Sequence, residues 1–136
     1  MIFYRIACII LILTGLIKLS GQFAEPEPKN ETERQLFELA KTTQIDVGSG
    51  ATITVHGTQM GFGLWFSLSL IWAGVMSLFL VKQLQHHAGA LRKVAIFNSG
   101  FLILGVGISL AYFFFIPTTC LALSLIFFVL ASIRLK

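Results

Sequence analysis

Four long apolar segments constrain the fold of this 136-residue chain more than any other feature. They extend over residues 2–19, 60–81, 94–116 and 117–133 and consist almost wholly of aliphatic, aromatic and small residues. Each is long enough to cross about 30 Å of hydrocarbon as a helix, in which the backbone polar groups bond internally. Charged residues form only 12% of the chain, which excludes a soluble globular domain. The sequence therefore predicts an all-α membrane protein, a four-transmembrane-helix bundle in a single membrane domain.

The distribution of charge predicts the orientation of this bundle. All six acidic residues fall in the loop at residues 21–58, whereas both termini and the loop between the second and third spans are basic. Cytoplasmic segments of membrane proteins are enriched in Lys and Arg. We therefore expect a multi-pass protein of the bacterial inner membrane, with cytoplasmic N- and C-termini and an outer loop at 21–58. The basic residues then reflect topology, and no nucleic-acid partner is expected.

Residues 1–20 have a second interpretation as a secretory signal peptide, because Arg5 precedes an apolar run. Lys18 interrupts the end of that run, and no convincing small-residue cleavage motif follows it. We therefore expect this segment to remain as the first span.

The outer loop has the pattern of a short amphipathic helix followed by a hairpin. Asn30 and Glu33 have the spacing of an N-terminal capping pair, which predicts a helix over residues 31–42. An apolar face of this helix is expected to rest on the bundle and the headgroups, or alternatively to act as a lid or docking surface. That face carries Leu36, Phe37 and Ala40. Apolar alternation on both sides of a Gly-Ser-Gly turn predicts a small hairpin over 45–55.

Small residues form one narrow stripe along the second span at helical spacing. Stripes of this kind allow two helix backbones to approach closely in a membrane. The predicted packing residues of this span are Gly63, Ser67, Gly74 and Ser77. On its opposite side Trp65, Trp72 and Phe79 form a bulky ridge, for which lipid contact is expected, with a groove or a protein partner as the alternative.

The third span can pack on two sides. Asn98 and Gly105 lie on one face, and Gly100 and Gly107 lie on the other. Asn98 is the most polar residue within the apolar spans, and its amide needs a partner. We expect an interhelical hydrogen bond at the depth of Ser77 rather than contact with a ligand.

Every span has one smaller and more polar stripe, and these stripes together define a candidate crevice. If all of them face inward, the outer half of the bundle gathers six residues: Lys18, Thr14, Ser67, Ser109, Tyr112 and Ser124. A cation among hydroxyl groups suits a lipid headgroup or a small anion. Alternatively, Lys18 extends its ammonium group outward to the interface.

No catalytic pattern accompanies this crevice. The spans contain no Asp or Glu, which argues against proton-coupled transport, and the three histidines fall outside the spans or at their edges. Cys8 is expected near the cytoplasmic end of the first span and Cys120 near the outer end of the fourth. The two thiols are then too far apart for a disulfide. The sequence predicts no catalytic residue, no metal site and no cofactor, and an enzyme is not expected.

Four segments carry a resemblance to known proteins. They are ETERQLFELAKTT, GFGLWFSLSLIWAGVM, ALRKVAIFNS and SLAYFFFIPTTCLALSLIFFVLAS. Together they resemble a group of small, uncharacterised bacterial four-span membrane proteins with the same loop helix and order of spans. The resemblance implies this fold and a bacterial inner-membrane location, and it implies no activity or site residue.

Two functions remain open from the sequence. The first is a binding, accessory or scaffold protein that associates with itself or with a larger membrane complex through its glycine-bearing faces. The alternative is a small transporter or lipid-handling protein with an outer-leaflet crevice around Lys18. The partners expected are therefore the lipid bilayer and a second copy or another membrane protein.

Overall fold

The computed structural model describes residues 1–24, 27–48, 50–112 and 115–135. Within these ranges the elements are α1 (Ile2–Gln22), α2 (Glu31–Thr42), β1 (Gln44–Asp46), β2 (Thr52–Thr54), α3 (Val55–Gln83), α4 (Ala88–Tyr112) and α5 (Phe115–Arg134). The helices α1, α3, α4 and α5 are each long and apolar enough to cross a membrane. The predicted all-α, four-helix membrane bundle is confirmed.

The third helix begins earlier than predicted. α3 starts at Val55 instead of residue 60, because Thr54 caps its first turn. The hydroxyl of Thr54 accepts a hydrogen bond from the backbone N–H of Gly57 at 3.0 Å, which satisfies one free donor of the helix. The last residues of the loop are therefore helical.

The boundary between the last two spans also differs from the prediction. α4 ends at Tyr112 and α5 begins at Phe115, so Ile116 belongs to the fourth span and not to the third. Pro117 lies in the first turn of α5, where its missing N–H removes no intrahelical hydrogen bond. Only two residues separate the two helices along the chain, and the helices pack against each other.

α1 is the central helix of the bundle. It packs along α3 on one side and along α5 on the other, and α4 packs mainly on α5. Gly74 of α3 permits a close approach to α1, because a β-carbon there would lie 2.8 Å from the carbonyl oxygen of Cys8. At Gly15 of α1, a β-carbon would lie equally close, at 2.8 Å, to the carbonyl oxygen of Ser67. Backbone meets backbone at both positions, as expected where small residues form a membrane-helix interface.

A polar cluster links α4 to α1 and α3. The amide of Asn98 donates to the hydroxyl oxygens of Ser77 at 3.2 Å and Tyr4 at 3.4 Å. Tyr4 is fully buried and packs edge-on against Phe128, with ring centroids 5.0 Å apart. Aromatic contact and hydrogen bonds therefore connect all four long helices at one level of the bundle.

The segment between α1 and α3 forms a small cap at one end of the bundle. Asn30 accepts a hydrogen bond from the backbone N–H of Glu33 at 2.8 Å, which starts α2 at the predicted residue. β1 and β2 pair antiparallel with Ile45 opposite Ile53, and α2 contacts α3 and β2. The predicted hairpin is present with shorter strands, and Ser49 of its predicted turn lies outside the described residues. We call this end of the bundle the α2 end.

Candidate ligand-binding site

A cavity of about 640 Å³ lies at the α2 end, between the last turn of α1, one face of α2 and the first turns of α3. We call it the α2 cavity. Its polar lining residues are Gln22, Arg34, Glu38, Lys41, His56 and Gln59. Its larger apolar lining residues are Phe23, Phe37 and Met60. The cavity thus combines charged and amide groups with an aromatic and aliphatic wall.

The charged wall of this cavity comes from the way α2 is turned. Arg34, Phe37, Glu38 and Lys41 line it, at the spacing of one helical face. Leu36 and Leu39 point away and are 61% and 59% exposed. Of the predicted apolar face, Phe37 and Ala40 line the cavity, whereas Leu36 is exposed.

The ionisable groups of the α2 cavity carry both signs of charge. Arg34 and Lys41 contribute two cations from α2 against the single carboxylate of Glu38. Arg34 also makes an exposed ion pair of 2.7 Å with Glu31, and exposed pairs of this kind contribute little free energy. Exchanging such a contact for a ligand oxygen therefore costs little.

A second, smaller cavity lies between the C-terminal half of α1 and the first turns of α5. We call this volume of about 270 Å³ the α1–α5 crevice. Its lining residues are Thr14, Ile17, Lys18, Gly21, Gln22, Ile116, Pro117 and Cys120. Most of this wall is apolar, which suits a hydrocarbon group better than a polar one.

The two polar residues predicted for the first span both line this crevice. The hydroxyl of Thr14 is already used within α1, where it donates to the carbonyl oxygen of Ile10 at 2.7 Å. Lys18 is half-buried and holds its ammonium nitrogen 5.5 Å from the ring centroid of Phe66. A cation at this distance from an aromatic face is attracted to it.

The other four residues of the predicted crevice lie elsewhere. Ser67 is buried against α1 and donates to the carbonyl oxygen of Gly63 at 2.8 Å. Ser124 is buried and donates to the carbonyl oxygen of Ala7 at 3.1 Å. Small side chains of this kind let helices pack without leaving a void. The inward-facing stripes of small residues therefore form helix–helix contacts and not a crevice.

The third span places its two predicted crevice residues on different sides. Ser109 is buried between α4 and α5, where it shares a hydrogen bond of 2.7 Å with Thr118. Tyr112 is 82% exposed, because α4 turns this residue away from α5. Neither residue lines the α1–α5 crevice.

The predicted packing residues fall into two groups. Those of α3 are buried in the bundle: Gly63, Ser67, Gly74 and Ser77. Asn98 of α4 is half-buried in its polar cluster, whereas Gly105 has open space where a β-carbon would stand. Gly100 and Gly107 are equally open, with no neighbouring atom within 4 Å among the described residues. The outward face of α4 thus has no partner within the described part of the chain.

The α2 cavity was not anticipated from the sequence. The signal available was the row of Arg34, Glu38 and Lys41 at helical spacing. That row alone predicts a solvated face, because charged faces of loop helices normally point to water. In the structure this row is exposed to solvent and also borders the cavity beside the ends of α1 and α3, which the sequence did not indicate.

Searches of protein families, curated proteins and solved structures found no match to this chain. Its function is therefore inferred from the chemistry of its own residues.

Proposed function

We propose that this chain is a multi-pass membrane protein that binds an amphiphilic ligand at the α2 end of its bundle. The α2 cavity carries this proposal. Its volume of about 640 Å³ falls in the range of about 300–1,000 Å³ that is usual for small-molecule sites. A few polar groups within an apolar wall are also characteristic of such sites.

In the membrane, this proposal places the α2 end on the outer side of a bacterial inner membrane, with both termini in the cytoplasm. The absence of acidic residues from the termini and from the loop between α3 and α4 supports this orientation. α2 then lies as an amphipathic helix at the surface, with Leu36 and Leu39 in the interfacial layer. The α2 cavity would be reached from the headgroup region.

A cavity-filling substitution tests this function. Ala40 lines the α2 cavity from α2, so Ala40→Trp would occupy part of its volume. Gln35→Trp provides a matched control, because Gln35 is an exposed residue of the same helix outside the lining. We expect phospholipid affinity, measured by native mass spectrometry from detergent, to fall about tenfold in the first variant only. Equal affinities in the wild type and Ala40→Trp would contradict the proposal.

A second candidate function is association with another membrane protein or a second copy through α4. The open glycines Gly100 and Gly107 favour it, since glycines at membrane-helix surfaces allow a partner backbone to approach. Gly107→Leu should then reduce crosslinked oligomers about tenfold. Gly89→Leu, also in open space on α4, should leave them unchanged. Equal crosslinking of both variants and the wild type would reject this candidate.

A further inference from the structure

The end of the bundle opposite the α2 end is strongly basic. It is formed by the start of α1, the ends of α3 and α5 and the start of α4, which meet around the buried side chain of Tyr4. All six acidic residues of the chain lie in the loop at 21–58, so none of them lies at this end. We call it the basic end, and its cationic residues are Arg5, Lys82, Arg92, Lys93, Arg134 and Lys136.

The cations of the basic end have no carboxylate partner among the described residues. Lys136 lies outside those residues, and none of the other five cations forms an ion pair within them. Arg34 at the α2 end, by contrast, pairs with Glu31, in a loop that carries both signs of charge. The charge of the basic end is therefore balanced from outside the described part of the chain.

The five described cations lie on outward-facing sides of their helices. Each is exposed, and each has an exposed apolar side chain one turn deeper on the same helix. The pairs are Arg5 with Ile9, Lys82 with Phe79, Arg92 with Ile96, Lys93 with Phe97, and Arg134 with Leu130. In a bilayer these apolar side chains contact acyl chains, so the neighbouring cations lie beside lipid headgroups and not in the interior of the bundle.

Anionic phospholipids provide the missing counter-charge at this depth. Long Lys and Arg side chains run along apolar surface and place their charge in the headgroup layer. Clusters of such residues beside membrane helices attract anionic lipids, with a gain in affinity of about fivefold for each cation near the surface. A zwitterionic headgroup carries a cation of its own and gains less.

From this arrangement we infer that the basic end is an interaction surface for anionic phospholipids. Their headgroups contact the cations, and their acyl chains run along the exposed apolar residues one turn deeper. This surface is separate from the α2 cavity, which lies at the other end of the bundle.

A photoreactive residue can identify the lipid that contacts each end. p-Benzoylphenylalanine would replace either Phe97, which is 76% exposed beside the basic end, or Phe62, which is 72% exposed in the half of α3 nearer the α2 end. Nanodiscs would contain equal amounts of dioleoyl phosphatidylglycerol, which is anionic, and dioleoyl phosphatidylcholine, which is zwitterionic. We expect adducts of the anionic lipid to exceed those of the zwitterionic lipid about fivefold at position 97 and to equal them at position 62. The same ratio at both positions would overturn the inference.

Charge variants test whether the cations cause this preference. In the protein labelled at position 97, Arg92→Gln/Lys93→Gln should bring the adduct ratio close to one. The charge-preserving variant Arg92→Lys/Lys93→Arg should keep the preference, and so should Lys29→Gln, which removes a cation from the loop outside both cavities. An unchanged ratio in the glutamine variant, or an equal loss in the charge-preserving one, would contradict an electrostatic contact.

The measurement does not depend on the orientation of the protein in cells, because both faces of a nanodisc present the same lipids. It is also independent of the proposed function. The preference at position 97 should persist in Ala40→Trp, and its loss there would place the selective site in the α2 cavity instead of at the basic end.

Discussion

The side-chain amide of Gln22 lies against Gly63, in the space that a β-carbon at position 63 would occupy. Gln22 ends α1 and lines both cavities, whereas Gly63 belongs to the buried stripe of α3. The missing side chain at position 63 therefore does more than bring two helices together. It leaves room for a hydrogen-bonding side chain that lines both cavities.

Gly63→Ala should change ligand binding more than stability. The atoms nearest to the new methyl group belong to the flexible end of Gln22, which can move aside, so we expect the unfolding free energy to change by less than about 1 kcal/mol. Displacement of the amide should lower phospholipid affinity severalfold. Thermal unfolding and lipid titration measure the two effects. Gln22→Ala should reproduce the binding loss, and normal binding in both variants would remove Gln22 from the site.

Gly74→Ala should lower stability more than it changes ligand binding. Here a β-carbon would lie 2.8 Å from the backbone oxygen of Cys8 and 2.6 Å from Ile12, so α1 and α3 must separate. Overpacking of this kind costs about 1–3 kcal/mol, which thermal unfolding in detergent can measure. Gly61→Ala, on the same helix in open space, should be neutral or slightly stabilising. Equal stability of the two variants would show that the close contact contributes nothing.

The fold could be predicted from the sequence because its main signals are local. Apolar segments of about 20 residues have few alternatives to a membrane span. The small-residue stripe of α3 includes Gly74 and predicts a close helix contact, since few other residues permit one. Asn98 could be placed near the depth of Ser77 by counting along two antiparallel spans, and the structure puts their side chains 3.2 Å apart.

The candidate site could be predicted only in part. Thr14 and Lys18 share the α1–α5 crevice because both lie on one side of a single helix, a relation that sequence spacing determines. The positions of the Ser124 and Tyr112 side chains depend on how α5 and α4 are rotated about their own axes. Hydropathy gives little information on rotation when all sides of a helix are apolar. The orientation of α2 likewise depends on contacts made with the rest of the fold.

The hydrogen bond between Asn98 and Ser77 should give a measurable coupling energy between α4 and α3. Asn98→Ala removes the donor that joins α4 to Ser77 and Tyr4. A double-mutant cycle with Ser77→Ala should give a coupling energy of about 0.6 kcal/mol, the average for hydrogen bonds between membrane helices. Ser69 bonds only within α3 and lies far from this cluster, so the cycle of Asn98→Ala with Ser69→Ala should give no coupling. Coupling indistinguishable from that control would argue against a direct bond.

The orientation of the α2 cavity can be tested on intact cells. In a variant with Cys8→Ala and Cys120→Ala, single cysteines would replace Glu38 on α2 and Gln85 after α3. These residues lie at opposite ends of the bundle, since α3 runs between the two loops. Because basic loops are retained in the cytoplasm, a membrane-impermeant thiol reagent should label position 38 and leave position 85 unlabelled until the cells are opened. The reverse pattern would place the α2 cavity on the cytoplasmic side, where its ligand would come from the inner leaflet.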